Sequence, residues 1–319
     1  MNEQNFIRNR KQFWDEFEAV INGGAREIRS YARRFPRSFR EITQDLNTAK
    51  AHGFDPALVN RLNYLALEGN QILYGGRSWS LKEAADFIFR TFPQTIRAQW
   101  RGLGIAHLIF YGLVFFFFFL CLRFPPLVYE IMPESQAMEL ERMYNPASGY
   151  YLTPRDVSSD ADMFGYYIYN NISIAFRTFA GGILAGAGSL LILCFNGIFL
   201  GAAAAHIVNQ GFASTFFPFI IGHSAFELTA IVLSAQAGLL LGFRLLVTGR
   251  LSRRASLKRA GKTAIPLITG SVLFLVIAAV IEAFWSSRHL MSPVIRYGAG
   301  ATAWVLVIAY VTLAGREHP

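Results

Sequence analysis

The run LGIAHLIFYGLVFFFFFLCL, residues 103–122, holds 20 residues without a formal charge and is bracketed by Arg101 and Arg123. As a helix it is about 30 Å long, the thickness of bilayer hydrocarbon. Working outward, Ile172–Val208 is apolar for nearly double that length, broken only by Arg177 and the pair Asn196-Gly197. It reads as two helices meeting near Phe195-Asn196-Gly197. Phe216–Gly242 supplies a fourth span, Ala264–Phe284 a fifth and Tyr297–Ala314 a sixth. The third, Gly197 to about Val208, is short, so five spans plus a re-entrant helix is the alternative count. A chain that is 53% hydrophobic with 29 Phe is too apolar for a soluble domain of this size. The expected fold class is all-α: a polytopic membrane helix bundle, residues 102–319, behind an N-terminal helical domain, residues 1–101.

Charge orients the spans. Segment 243–262 holds Arg244, Arg250, Arg253, Arg254, Lys258, Arg259 and Lys262 and no acid. Short basic loops stay on the cytoplasmic side. Loop 123–165 has seven acids (Glu130, Glu134, Glu139, Glu141, Asp156, Asp160, Asp162) against Arg123, Arg142 and Arg155, so it is expected outside. Six spans then leave both termini cytoplasmic. The net charge of +9 is largely that basic loop, where anchoring and anionic lipid account for it without nucleic acid. Cys121 and Cys194 both fall in spans, so no disulfide framework or cysteine metal site is expected.

In the N-terminal domain Phe6, Phe13, Trp14, Phe17, Val20 and Ile21 recur at helical spacing before Gly23-Gly24. A second helix is expected over Ser38–Lys50. Asp55-Pro56 reads as an N-cap with proline at the first helical position, opening a helix that stops at Gly75-Gly76. Ser80 with Glu83 opens a fourth helix with a kink at Pro93. The expectation is a small cytoplasmic bundle that docks partners; no nucleotide-binding glycine loop is present. In the outer loop, Val128–Met143 suits a helix lying on the membrane face, followed by turn signals at Tyr144-Asn145-Pro146 and Ser148-Gly149-Tyr150-Tyr151.

The chemistry-bearing stretch is Gly222-His223-Ser224-Ala225-Phe226-Glu227-Leu228. From Phe212 to Phe243 the only formal charge is Glu227, and a carboxylate within a span costs about 2.5–3.5 kcal/mol on insertion scales. His223 lies four residues before it, on the same helical face. Arg177, His223, Glu227 and Glu282 are expected as one intramembrane polar cluster at the outer side, with Arg177 paired to Glu227 or Glu282. Asn170, Asn171, Asn196 and Gly197 are expected to serve helix packing. Three readings stay open for the cluster: a clasp fixing helix register, a hydrated path for transport or lipid access, and a metal site with a catalytic water. The His-Glu-x-x-His run of a zinc protease is missing, and Ser224 points about 100° away from His223, which leaves a nucleophile without support. No catalytic residue, cofactor or metal is therefore assigned, and an intramembrane metal-dependent hydrolase is kept only as the enzymatic alternative. Gly182-x-x-x-Gly186, Gly197-x-x-x-Gly201 and Gly238-x-x-x-Gly242 mark close helix contact; a homodimer stays open.

Several separated elements resemble the stage II sporulation protein M family. They are Phe13-Trp14, Gly53-Phe54-Asp55-Pro56-Ala57-Leu58-Val59, Asn170-Asn171-Ile172 through Ala180-Gly181-Gly182, Asn196-Gly197, and Ile281-Glu282-Ala283-Phe284. Glu227-Leu228 falls where the family has Pro-His-Gly-x-x-Glu-Leu; here Gly222 stands for the proline and Ser224 for the glycine, which implies a softer kink. The resemblance implies a multi-pass protein of the bacterial inner membrane, a scaffold that anchors other membrane or envelope proteins in a complex. Transport or lipid handling through the polar cluster is the alternative function.

Overall fold

The computed structural model describes residues 2–74, 80–148, 157–286 and 291–316. Every regular element among them is helical, in keeping with the all-α class. The Gly75-Gly76 stop and the Gly149-Tyr150-Tyr151, Arg155 and Asp156 part of the outer loop lie outside the described residues. The chain divides into two compact units, Met1–Ser80 and Leu81–Pro319.

The first unit contains α1 (Glu3–Asn22), α2 (Ala25–Tyr31), α3 (Phe35–Ala51) and α4 (Pro56–Tyr74). Trp14, Phe17, Ile42, Leu62 and Leu65 are fully buried in one core. Asp45, itself buried, accepts from Trp14 Nε1 at 2.8 Å and from Arg10 Nε at 2.8 Å, so its charge is compensated. The expected cap at α4 is present: Ala57 N donates to Asp55 Oδ1 at 2.6 Å, and Pro56 occupies the first turn, where no donor is needed. Arg61 pairs with Asp15 and Glu18, hydrogen bonds that hold its guanidinium pKa above the usual value.

The second unit starts earlier than the expected boundary at residue 101. Helix α5 (Leu81–Asp86) passes through a π-helical turn, Phe87–Thr91, into α6 (Phe92–Ala98). Pro93 has no N–H to return to the preceding turn, and Phe92 N reaches back to Phe87 O. Phe87, Phe92 and Ile96 are buried in the membrane unit's own core, which removes this helix from the N-terminal bundle. Helices α7 (Trp100–Arg123), α8 (Val128–Ile131), α9 (Glu134–Tyr144), α10 (Val157–Ala180), α11 (Ala187–Asn209), α12 (Ala213–Leu246), α13 (Arg253–Ile281, prolonged by a π-helical turn Glu282–Ser286) and α14 (Pro293–Leu313) follow.

Among the described residues, five helices are long and apolar enough to cross a membrane: α7, α11, α12, α13 with its π turn, and α14. Helix α10 is equally long at 24 residues but carries Asp160, Asp162, Asn170, Asn171 and Arg177. Helix α12 is the centre, packing on α7, α10, α11, α13 and α14, whereas α7 and α14 present mostly exposed apolar side chains such as Phe119 and Leu306.

The break between the second and third long helices is not at Phe195-Asn196-Gly197. Helix α10 ends at Ala180, a 3-10 turn covers Gly181–Ile183, and Gly186 adopts φ 87° before α11 begins. The left-handed backbone suits glycine, which has no β-carbon to clash. Asn196 stays within α11 and donates its amide to Ile192 O at 2.8 Å, while Gly197 lies against the Phe110 backbone of α7. The third long helix thus has 23 residues, is not short, and is long and apolar enough to cross a membrane. The small-residue motifs pair within the chain, Gly182 against Gly238 and Gly186 against Gly242.

Candidate functional site

Three of the four expected cluster residues come together. His223 and Glu227 lie one helical turn apart on α12, with Nε2 3.6 Å from Oε2. Glu282 opens the π-helical turn at the end of α13, and one ligating atom from each of the three residues lies within 4.8 Å of the other two. His223 is buried; the two carboxylates are half-buried.

The π turn reaches His223 because Gly222 has no side chain. A β-carbon at Gly222 would lie 2.5 Å from Cζ3 of Trp285, so the indole takes the space that any other residue would fill. Helix α12 runs unbroken through this point even though Pro218 sits inside it, so the chain stays helical where the family's proline is replaced by Gly222. Ser286, next in the turn, places Oγ 3.4 Å from His223 Nδ1. Its carbonyl accepts from Arg296 Nη1 at 3.2 Å, and Arg296 is buried at the start of α14. One turn further along α14 Gly300 packs on Ile221, and a turn beyond that Trp304 Nε1 donates to Ser224 Oγ at 3.3 Å. Ser224 thus ties α12 to α14 and is turned away from the imidazole's partners.

Arg177 does not join. It occupies the last turn of α10, exposed, and among the described residues it forms no ion pair with Glu227 or Glu282. Phe164, near the other end of α10, meets Phe284 at 5.8 Å. Thirteen residues of helix separate Phe164 from Arg177, about 20 Å. The expectation failed because α10 starts at Val157, well before the uncharged run at Ile172, which put Arg177 at the wrong end. Asn170 donates to Asn171 Oδ1 at 3.2 Å, and among the described residues the buried Asn171 Nδ2 has no partner.

Ser286, Arg296 and Trp304 were not anticipated. The Ser292-Pro293 pair carried the signal, since proline at the first helical position starts α14 at 293 and brings Arg296 one turn inside it. Two further polar contacts join α9 to the bundle: His206 Nε2 lies 2.8 Å from Glu141 Oε1, and Thr215 Oγ1 donates to Tyr144 O at 2.6 Å.

Together these features define an all-α polytopic membrane protein with a polar cluster set between three long helices. The Stage II sporulation protein M family matches over residues 105–287, more than half of the chain, and the chain belongs to that family. His223, Glu227, Glu282 and Ser286 fall inside the matched region; Arg296 and Trp304 lie beyond it. A domain of unknown function (DUF8413) matches residues 4–75, which span α1 to α4. No curated protein and no solved structure matches the chain.

Proposed function

We propose that this protein is an assembly component of a multiprotein, envelope-related complex in the bacterial inner membrane. The observation that supports this reading is the packing of α8 and α9, which follow α7. A mere connector gains nothing from a core of its own, yet Val128, Met132 and Ala137 are buried against α11, and the Glu141–His206 and Thr215–Tyr144 contacts fix α9. The opposite face exposes Glu130, Glu134 and Glu139 together with Met138. Acids around an apolar group form a surface suited to a basic partner protein. In this reading α10 is the sixth crossing, the basic segment 243–262 contacts anionic lipid in the cytoplasmic leaflet, and both termini are cytoplasmic.

The test is purification from native membranes after cross-linking. Charge reversal by E130K, E134K and E139K together is expected to remove the partners recovered with wild type while membrane abundance stays unchanged. Identical partners at identical yield would sink the reading. Lipid handling is the second reading, favoured by a cavity of about 460 Å³ lined by Phe92, Phe226, Phe274, Ile277, Val307 and Tyr310. It lies where α13 and α14 each lean on α12 and scarcely touch one another. Retention of one lipid species in those same preparations, with no protein partner, would favour this reading over assembly.

A further inference from the structure

We infer that His223, Glu227 and Glu282 form a binding site for a single divalent transition-metal ion of the zinc or manganese type. The site goes beyond the assembly reading and does not rest on it.

Geometry comes first. Nitrogen and oxygen ligands sit about 2.0–2.2 Å from such an ion, so two ligands in tetrahedral array are roughly 3.4 Å apart. His223 Nε2 and Glu227 Oε2, at 3.6 Å, already have that spacing, which the i, i+4 placement on one helix provides. The remaining separations are within 4.8 Å, and the half-buried glutamate side chains would close them on binding an ion.

Charge is the second argument. Two carboxylates within 4.8 Å of one another, on helices apolar enough to cross a membrane, repel each other in a poorly screened setting. A divalent ion held between them lowers that repulsion directly.

The surroundings of the imidazole supply the third. In the tautomer that carries its proton on Nδ1, His223 donates to Ser286 Oγ at 3.4 Å and leaves the Nε2 lone pair, 3.6 Å from Glu227 Oε2, open to a cation. A hydrogen bond from the non-ligating ring nitrogen is the usual way a ligand histidine is oriented. Arg296 holds the Ser286 carbonyl and Trp285 packs on Gly222, so the orienting group is itself fixed. One imidazole with two carboxylates suits zinc or manganese better than calcium or magnesium, which favour oxygen alone. Three protein ligands leave at least one coordination position for water.

The experiment uses the full chain in detergent, stripped with chelator and then dialysed against Zn²⁺ or Mn²⁺ alone, with bound metal measured by mass spectrometry. One ion per chain is expected, and H223A, E227Q and E282Q should each weaken binding by at least about tenfold. Size-exclusion profiles identify any variant that fails to fold. A second readout needs no variant of a ligand: Co²⁺ added to the stripped wild type should give the visible absorption bands of a four- or five-coordinate ion, and S286A should shift them. No stoichiometric Zn²⁺ or Mn²⁺ and no such Co²⁺ bands would overturn the inference, as would binding that all three ligand variants leave unchanged.

Discussion

Gly222 governs how close the π-helical turn comes to His223. Its missing β-carbon is filled by Cζ3 and Cε3 of Trp285, which would lie 2.5 Å and 3.0 Å from an added carbon. An indole cannot fold aside as a lysine tip can, so G222A should push the turn outward and cost about 1–3 kcal/mol, as overpacking does in other interiors. The expected readout is a lowered melting temperature in detergent, recovered in part when W285A is added, because the two changes relieve the same contact. Equal melting of wild type and G222A would show that the turn is not pinned there. At this scale His223, Glu227 and Glu282 were legible, since each is a polar group in an apolar run and two of them share a helical face. The groups that orient them were not. Ser292-Pro293 marks where α14 starts, but that Arg296 reaches Ser286 beside His223 depends on α14 folding back along α12, a tertiary fact outside that local pattern.

At the scale of elements, the misread turn teaches the most. Asn-Gly is a strong turn signal in water, where the asparagine side chain competes with the helix backbone. Inside a span there is no water to stabilise an opened backbone, and Asn196 instead bonds the carbonyl of Ile192 in its own helix. The chain breaks at Gly181–Gly186, whose glycines looked like packing residues and serve both purposes. Gly182 meets Gly238 backbone to backbone, and a β-carbon on Gly238 would fall 2.1 Å from Ser189 Oγ and 2.7 Å from Phe179 O. G238A should therefore separate α12 from the α10–α11 turn and sharply lower the yield of folded protein. Gly112, in α7, has nothing within 4 Å of its own β-carbon position, so G112A is the matched control and should behave as wild type. Folded yield by size exclusion checks the pair, and equal yields would mean the helices can part without consequence.

At the scale of the molecule, the division at Ser80 matters more than the count of spans. The periodicity of α1, α3 and α4 was legible because each buries one face in a local core; the membership of residues 81–98 was not. Phe87, Phe92 and Ile96 have helical spacing that fits a soluble bundle as well as it fits the membrane unit, and only their burial beside Phe274 and Tyr310 decides. Two fragments separate the possibilities. Residues 1–80 contain a complete core around Trp14, Phe17, Ile42, Leu62 and Leu65 and should give a soluble, helical protein with one cooperative thermal transition, though of modest stability for its size. Residues 1–101 add Phe87, Phe92 and Ile96, which the membrane unit otherwise covers, and should aggregate or require detergent. W14F in the shorter fragment leaves the buried Asp45 with one donor fewer and should destabilise it by about 1–3 kcal/mol, read as a shift in the denaturant midpoint. The outcome that would undo this assignment is the reverse order: a molten 1–80 fragment and a cooperative 1–101 fragment, since Phe87 and Phe92 would then complete the N-terminal core and not that of the membrane unit.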